Sequence, residues 1–80
     1  MTITLKYFGS LVAITQKKEE IFLMDENKME LSFLQQKIET LYEELKNTNY
    51  SIAVNQSISS RNAAIKDQDV IAFLPPFAGG

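Results

Sequence analysis

Asp69-Val70-Ile71-Ala72-Phe73-Leu74-Pro75-Pro76-Phe77-Ala78-Gly79-Gly80 is the stretch on which the chain turns. Val70 to Leu74 is β-branched, aromatic and short, the composition of a strand. Pro75 and Pro76 cannot donate ladder hydrogen bonds, so the strand must stop there. Phe77 and Ala78 follow, then two glycines. No residue is written after Gly80, so the expectation is a free α-carboxylate on a segment without side chains to obstruct approach. Glycine lets such an end thread a narrow channel, and the prolines reduce the conformations it loses on docking.

The remainder of the sequence holds few competing chemical groups. It has neither Cys nor His, which removes disulfides, thiolate and imidazole metal ligands, and Ser-His-Asp or Cys-His catalysis. No glycine-rich phosphate loop occurs. Glu19-Glu20 and Glu43-Glu44 lie in solvated stretches and read as surface charge, while Ser57, Ser59 and Ser60 read as turn residues. A stand-alone enzyme is not expected, and no metal site is expected.

Composition agrees with a single small domain. Eighty residues with 45% apolar content can form one packed core without staples. The net charge of -2, with acids and bases interleaved, supplies no basic surface for nucleic acid and no polybasic membrane anchor. Apolar runs fall well short of the roughly 18 residues that suggest a membrane span. The alternating start is unlike a signal peptide, so a cytoplasmic location is expected.

Working back along the chain, residues 2 to 8 alternate, with Ile3, Leu5 and Tyr7 on the apolar side. Gly9-Ser10 breaks this run, Leu11 to Ile14 suits a short helical turn, and Ile21 to Met24 reads as a second strand pairing with the first. Asp25-Glu26-Asn27-Lys28 is a polar loop. From Met29 the period changes: Leu31, Leu34, Ile38, Leu41 and Leu45 form one stripe, predicting a helix of about four turns capped by Glu30 or Asn27. Tyr50 to Asn55 is a third strand, with Ile52 and Val54 on one side. Asn55-Gln56-Ser57 is a turn, Ile58 to Ser60 a short extended piece, and Lys66-Asp67-Gln68-Asp69 a second turn. These elements predict an α+β domain, a mixed sheet of about four to five strands covered by one main helix, over residues 1–76, with 77–80 as a tail.

The motifs Tyr7-Phe8-Gly9, Ala53-Val54-Asn55-Gln56 and Phe73-Leu74-Pro75-Pro76, together with the terminal Gly79-Gly80, resemble the small, sulfur-carrying subunit of molybdopterin synthase (the MoaD family), whose fold is a ubiquitin-like β-grasp. The resemblance covers essentially the whole chain. It implies that a ubiquitin-activating-type enzyme uses ATP to adenylate Gly80. Sulfur transfer then makes a C-terminal thiocarboxylate. Inserted into the large synthase subunit of a heterotetramer, this end would deliver sulfur to cyclic pyranopterin monophosphate in molybdenum cofactor biosynthesis. On this reading the chain binds no cofactor and is a non-catalytic subunit, with Gly80 as the carrier atom's site. Phe73, Pro75, Pro76, Phe77, Ala78 and Gly79 would form the partner-binding tail. Three positions depart from the family pattern: Gln68 stands where a turn glycine is frequent, Phe77 replaces a small β-branched residue, and Glu30 replaces a Thr or Ser helix cap. A thiamine or tRNA-thiolation sulfur carrier, a ubiquitin-like protein modifier and an inert interaction domain remain the other readings of the same tail.

Overall fold

The structure is a computed structural model that describes residues 1–26, 30–59 and 63–76. Strand β1 (Thr2–Tyr7) carries the predicted alternation, with Ile3, Leu5 and Tyr7 buried. The short helix α1 (Leu11–Thr15) follows Gly9-Ser10 and ends where Gln16 takes a left-handed backbone, φ 64°, its amide donating to the Val12 carbonyl. Strand β2 (Glu19–Leu23) then pairs antiparallel with β1. It begins two residues earlier than the apolar run suggested, because Glu19 and Glu20 pair with Lys6 and Leu5 of the neighbouring strand.

The main helix, α2 (Leu31–Leu41), is shorter than the predicted four turns. Leu31, Leu34 and Ile38 are buried, and the row continues at the i+4 position to Tyr42, which packs against the core. Leu41 lies one position off that row and is 55% exposed, so the predicted stripe is wrong at this residue. The α-helix stops at Tyr42 (φ -126°, ψ 82°), and a separate 3-10 helix, Glu43–Asn47, returns Leu45 to the core. Glu30 is the residue before the helix, yet its side chain makes no capping hydrogen bond. The Leu31 amide donates instead to the Ala63 carbonyl at 2.9 Å, and a bridge joins Glu30 to Ala64. A later part of the chain thus satisfies one of the donors that a helix start leaves open. The alternative cap, Asn27, lies outside the described residues.

Strand β3 (Ser51–Val54) turns through Asn55 and Gln56 into β4 (Ser57–Ile58). Both turn residues have positive φ, 50° and 73°, the pattern of a two-residue hairpin turn that matches strand twist. Strand β5 (Val70–Leu74) has the predicted bounds. The five-stranded sheet has the order β2-β1-β5-β3-β4, with β1 and β5 parallel and the other neighbours antiparallel. This is a mixed sheet with one main helix, the ubiquitin-like β-grasp expected from the sequence. Strand β5 occupies its centre, so the segment leading to the tail is held on both edges. Ile71 and Phe73 are fully buried among Leu5, Leu34, Ile38 and Ile65.

Candidate functional site at the root of the tail

Three kinds of contact fix the last described residues. The first is the ladder. Tyr7 lies opposite Phe73 in the parallel β1–β5 pairing, and Ile52 lies opposite Phe73 on the β3 side. The Phe8 amide extends this ladder, donating to the Phe73 carbonyl at 3.2 Å. The second is aromatic: the Phe73 ring is tilted against Tyr7, with centroids 5.4 Å apart, and against Tyr50 at 5.6 Å. Such pairs add to what area burial alone provides. The third is the approach of Pro75 to Gly9, whose φ of 56° lies in the left-handed region. A side chain at Gly9 would collide with the proline ring, so the absence of one lets the exit segment lie against the β1–α1 turn.

Phe73 therefore needs correction as a tail contact. Its side chain has no exposed surface, and it serves the core as the anchor of the tail rather than meeting a partner. Pro75 is half-buried and Pro76 is exposed, as a stiff exit requires. Phe77, Ala78, Gly79 and Gly80 lie outside the described residues. Beside the root is a depression of about 340 Å3 whose lining includes Phe8, Gly9 and Val12 together with Lys6, Lys18 and Glu19; Phe8 is 45% exposed.

Two polar clusters support this region, and neither was legible as a site in the sequence. On β2, the Glu20 carboxylate accepts hydrogen bonds from Tyr7 (2.6 Å), Tyr42 (2.9 Å) and the Lys17 ammonium (3.2 Å). Burial alone would raise the pKa of Glu20, but the two phenols and the ammonium outweigh it and hold the carboxyl below its ordinary range. Burial, reinforced by Glu20, pushes the Tyr7 phenol well above its ordinary value. On the other side, Asn55 Nδ2 donates to Asp69 Oδ1 at 2.9 Å, and the Val70 amide donates to Asn55 Oδ1 at 2.9 Å. Asp69 Oδ2 also accepts from the Lys66 amide at 2.8 Å. The Val54-Asn55 motif thereby ties the β3–β4 turn to the start of β5. Its sequence signals were the turn chemistry of Asn and the place of Ala53-Val54-Asn55-Gln56 among the family-like motifs, neither of which named Asp69 as the partner.

Among the described residues, no group of three or more Asp, Glu, His or Cys could hold a metal ion. No helix among them is long and apolar enough to cross a membrane.

The ThiS family model matches residues 5–80, nearly the whole chain and the diglycine end with it. The chain belongs to the ThiS family. Solved structures agree on the architecture. A Pyrococcus furiosus protein assigned as subunit 1 of a molybdopterin converting factor superposes with a TM-score of 0.87 at 24% identity, over 95% of this chain and 98% of that one. Subunit 1 in a complex of subunits 1 and 2 of the Helicobacter pylori molybdopterin-converting factor is 28% identical over 100% of both chains, with a TM-score of 0.68. The small archaeal modifier protein 1 of Haloferax volcanii shares the fold, with a TM-score of 0.83 at 14% identity over 100% of both chains. This ThiS-family chain is thus a small protein with the ubiquitin-like β-grasp fold.

Proposed function

We propose that the protein is the sulfur-carrier subunit of a molybdopterin synthase and that Gly80 is the residue that carries the sulfur. The observation that carries this reading is the continuity of β5. The strand is rooted at the centre of the sheet by Phe73, stiffened by Pro75-Pro76, and leads within a few residues to Gly79-Gly80, all inside the family match. Rooting in the sheet and the fixed φ of two prolines lower the conformational freedom that the exit segment loses on docking.

The chemistry balances with ATP supplied by a ubiquitin-activating-type enzyme. The Gly80 carboxylate attacks the α-phosphorus, pyrophosphate leaves, and a mixed acyl-phosphate anhydride forms. Hydrosulfide then adds to the activated carbonyl and displaces AMP, leaving a thiocarboxylate. In the large subunit the thiocarboxylate sulfur bonds to a carbon of cyclic pyranopterin monophosphate, and water cleaves the acyl–sulfur bond, leaving the sulfur on the pterin and a carboxylate on Gly80. The chain contributes a covalent handle and no catalytic side chain. The likeness to a subunit 1 solved together with its subunit 2 supports the large-subunit partner. Pro76, Phe77, Ala78 and Gly79 would line the channel, and exposed Phe8 beside the root would meet its rim.

Intact mass tests the proposal. Incubation with an activating enzyme, ATP and a sulfur donor is expected to raise the mass by the difference between sulfur and oxygen, localised to Gly80. The charged chain should then convert cyclic pyranopterin monophosphate when a large subunit is added. Charging followed by transfer only to a thiamine precursor or tRNA would assign a different sulfur carrier. A ladder of protein conjugates would assign a modifier. No mass change with any such enzyme would overturn the carrier reading.

A further inference from the structure

We propose that Glu20 is a positioning residue for the tail: it pins Tyr7 and Tyr42 and, through them, fixes the direction in which the chain leaves the sheet at Pro75. The inference rests on the carrier reading above and adds to it a residue from the edge strand β2.

The connection runs through contacts of known geometry. The Glu20 Oε2 atom accepts from both phenols, Tyr7 at 2.6 Å and Tyr42 at 2.9 Å, while Oε1 takes the Lys17 ammonium at 3.2 Å. One carboxylate therefore holds a residue of β1, the end of α2 and the loop before β2. A phenol held by a carboxylate has one preferred orientation, because a charge-assisted hydrogen bond is short and directional. The Tyr7 ring so held meets Tyr42 edge-on at 6.1 Å and lies tilted against Phe73 at 5.4 Å. Beyond Phe73 stands Tyr50 at 5.6 Å, and its phenol is held in turn by Glu39 of α2. Four rings, Tyr42, Tyr7, Phe73 and Tyr50, are thus in successive contact, with a carboxylate holding the phenols at each end.

Tyr7 is also the last residue of β1. The next two residues make the contacts that aim the tail: Phe8 donates its amide to the Phe73 carbonyl, and Gly9 receives Pro75. Releasing the Tyr7 ring frees the end of β1 to shift. The shift passes directly to the surface against which Pro75 rests. The buried Tyr7 phenol and the half-buried Tyr42 phenol, left without their acceptor, also lose charge-assisted hydrogen bonds. The consequence belongs to presentation: the partner would still bind the domain but meet a tail with a wider spread of directions.

Hydrogen exchange and single-turnover adenylation together test this in the full-length chain. In Glu20→Ala, protection of the Phe8 amide should fall about tenfold or more, the scale of a lost charge-assisted hydrogen bond. The Thr4 amide, which donates to the Asp69 carbonyl at the other end of the β1–β5 ladder, should be unchanged. Glu20→Gln, which keeps an acceptor oxygen, should restore most of the Phe8 protection. With an activating enzyme that adenylates the wild-type chain, Glu20→Ala should lower the maximal rate about tenfold and leave KM unchanged. Equal loss of protection at Phe8 and Thr4 would mean general destabilisation and would overturn the proposal. So would lost Phe8 protection with an unchanged maximal rate, or a raised KM alone. If no activating enzyme accepts the wild-type chain, the carrier reading fails, and the Phe8-to-Thr4 comparison still decides whether Glu20 orders the tail root.

Discussion

A Cβ added to Gly9 would lie 2.8 Å from Cγ of Pro75. These residues stand near opposite ends of the sequence, one in the turn after β1 and the other at the exit of β5. Their contact makes the first turn of the chain the seat for its last strand. The steric limit at Gly9 is reinforced by its left-handed backbone, which suits glycine and strains other residues.

Gly9→Ala should therefore act twice. Strain and the collision with Pro75 should cost about 1–3 kcal/mol in urea unfolding. Adenylation of Gly80 should fall by more than the lost folded population explains, because Pro75 must move to admit the methyl group. Wild-type turnover in a destabilised variant would separate the contact from tail presentation.

Phe73 and Gly80 should behave in opposite ways. Truncating the fully buried Phe73 to Ala should cost about 3–5 kcal/mol, seen as a lower midpoint of unfolding. Deleting Gly80 should leave that midpoint within measurement error, since terminal residues contribute little to stability, while abolishing sulfur loading by intact mass. Sulfur loading that survives the deletion would sink the assignment of Gly80.

The link between the β3–β4 turn and β5 makes a third case. Asn55→Ala loses the side-chain bonds to Asp69 and Val70 and places a non-glycine, non-Asn residue at φ 50°. A loss of about 2–3 kcal/mol is expected. Gln68, at φ 71°, has the reverse problem: its backbone is where glycine is favoured, while its amide already donates to the Thr2 carbonyl at 2.7 Å. Gln68→Gly should keep that bond and stabilise the protein by about 0.5–1 kcal/mol, a rise in Tm for a chain of this size. An unchanged or lower Tm would show that the lost Gln side chain outweighs the relieved backbone.

The Glu20 cluster sets a pH window. Its carboxyl titrates lower in the folded protein than its ordinary 4.5, so the associated stability is present above that value and is lost as pH falls through the folded pKa. Tyr7 titrates higher than its ordinary 10.0, so its contribution is full below that pH and is lost as pH rises through the folded pKa. Urea midpoints should be lower at each extreme than between those values. Glu20→Gln should flatten the acid limb, because the group that takes up the proton is gone. An acid limb unaltered by that substitution would place its cause at other carboxylates, such as Asp67, whose pKa is lowered by the Thr2 amide.

The sequence by itself determined what local spacing can encode. Alternation at Ile3, Leu5 and Tyr7 specified β1, the 31-34-38 spacing specified the core face of α2, and Pro75-Pro76 specified where β5 ends. Period and backbone preference act within a few residues, so a short window suffices to read them. The same window failed at Leu41. Whether the next turn buries that leucine or Tyr42 depends on what lies across from it, including the Glu20 acceptor on β2. Only the tertiary structure decided that Phe73 is an anchor rather than a contact, that Glu20 is a half-buried acceptor for two phenols rather than a solvated charge, and that Gly9 seats Pro75. Each of these is a meeting of residues distant in the chain. Such a meeting is set by the order of strands in the sheet, with β5 inserted beside β1, and no local spacing records that order.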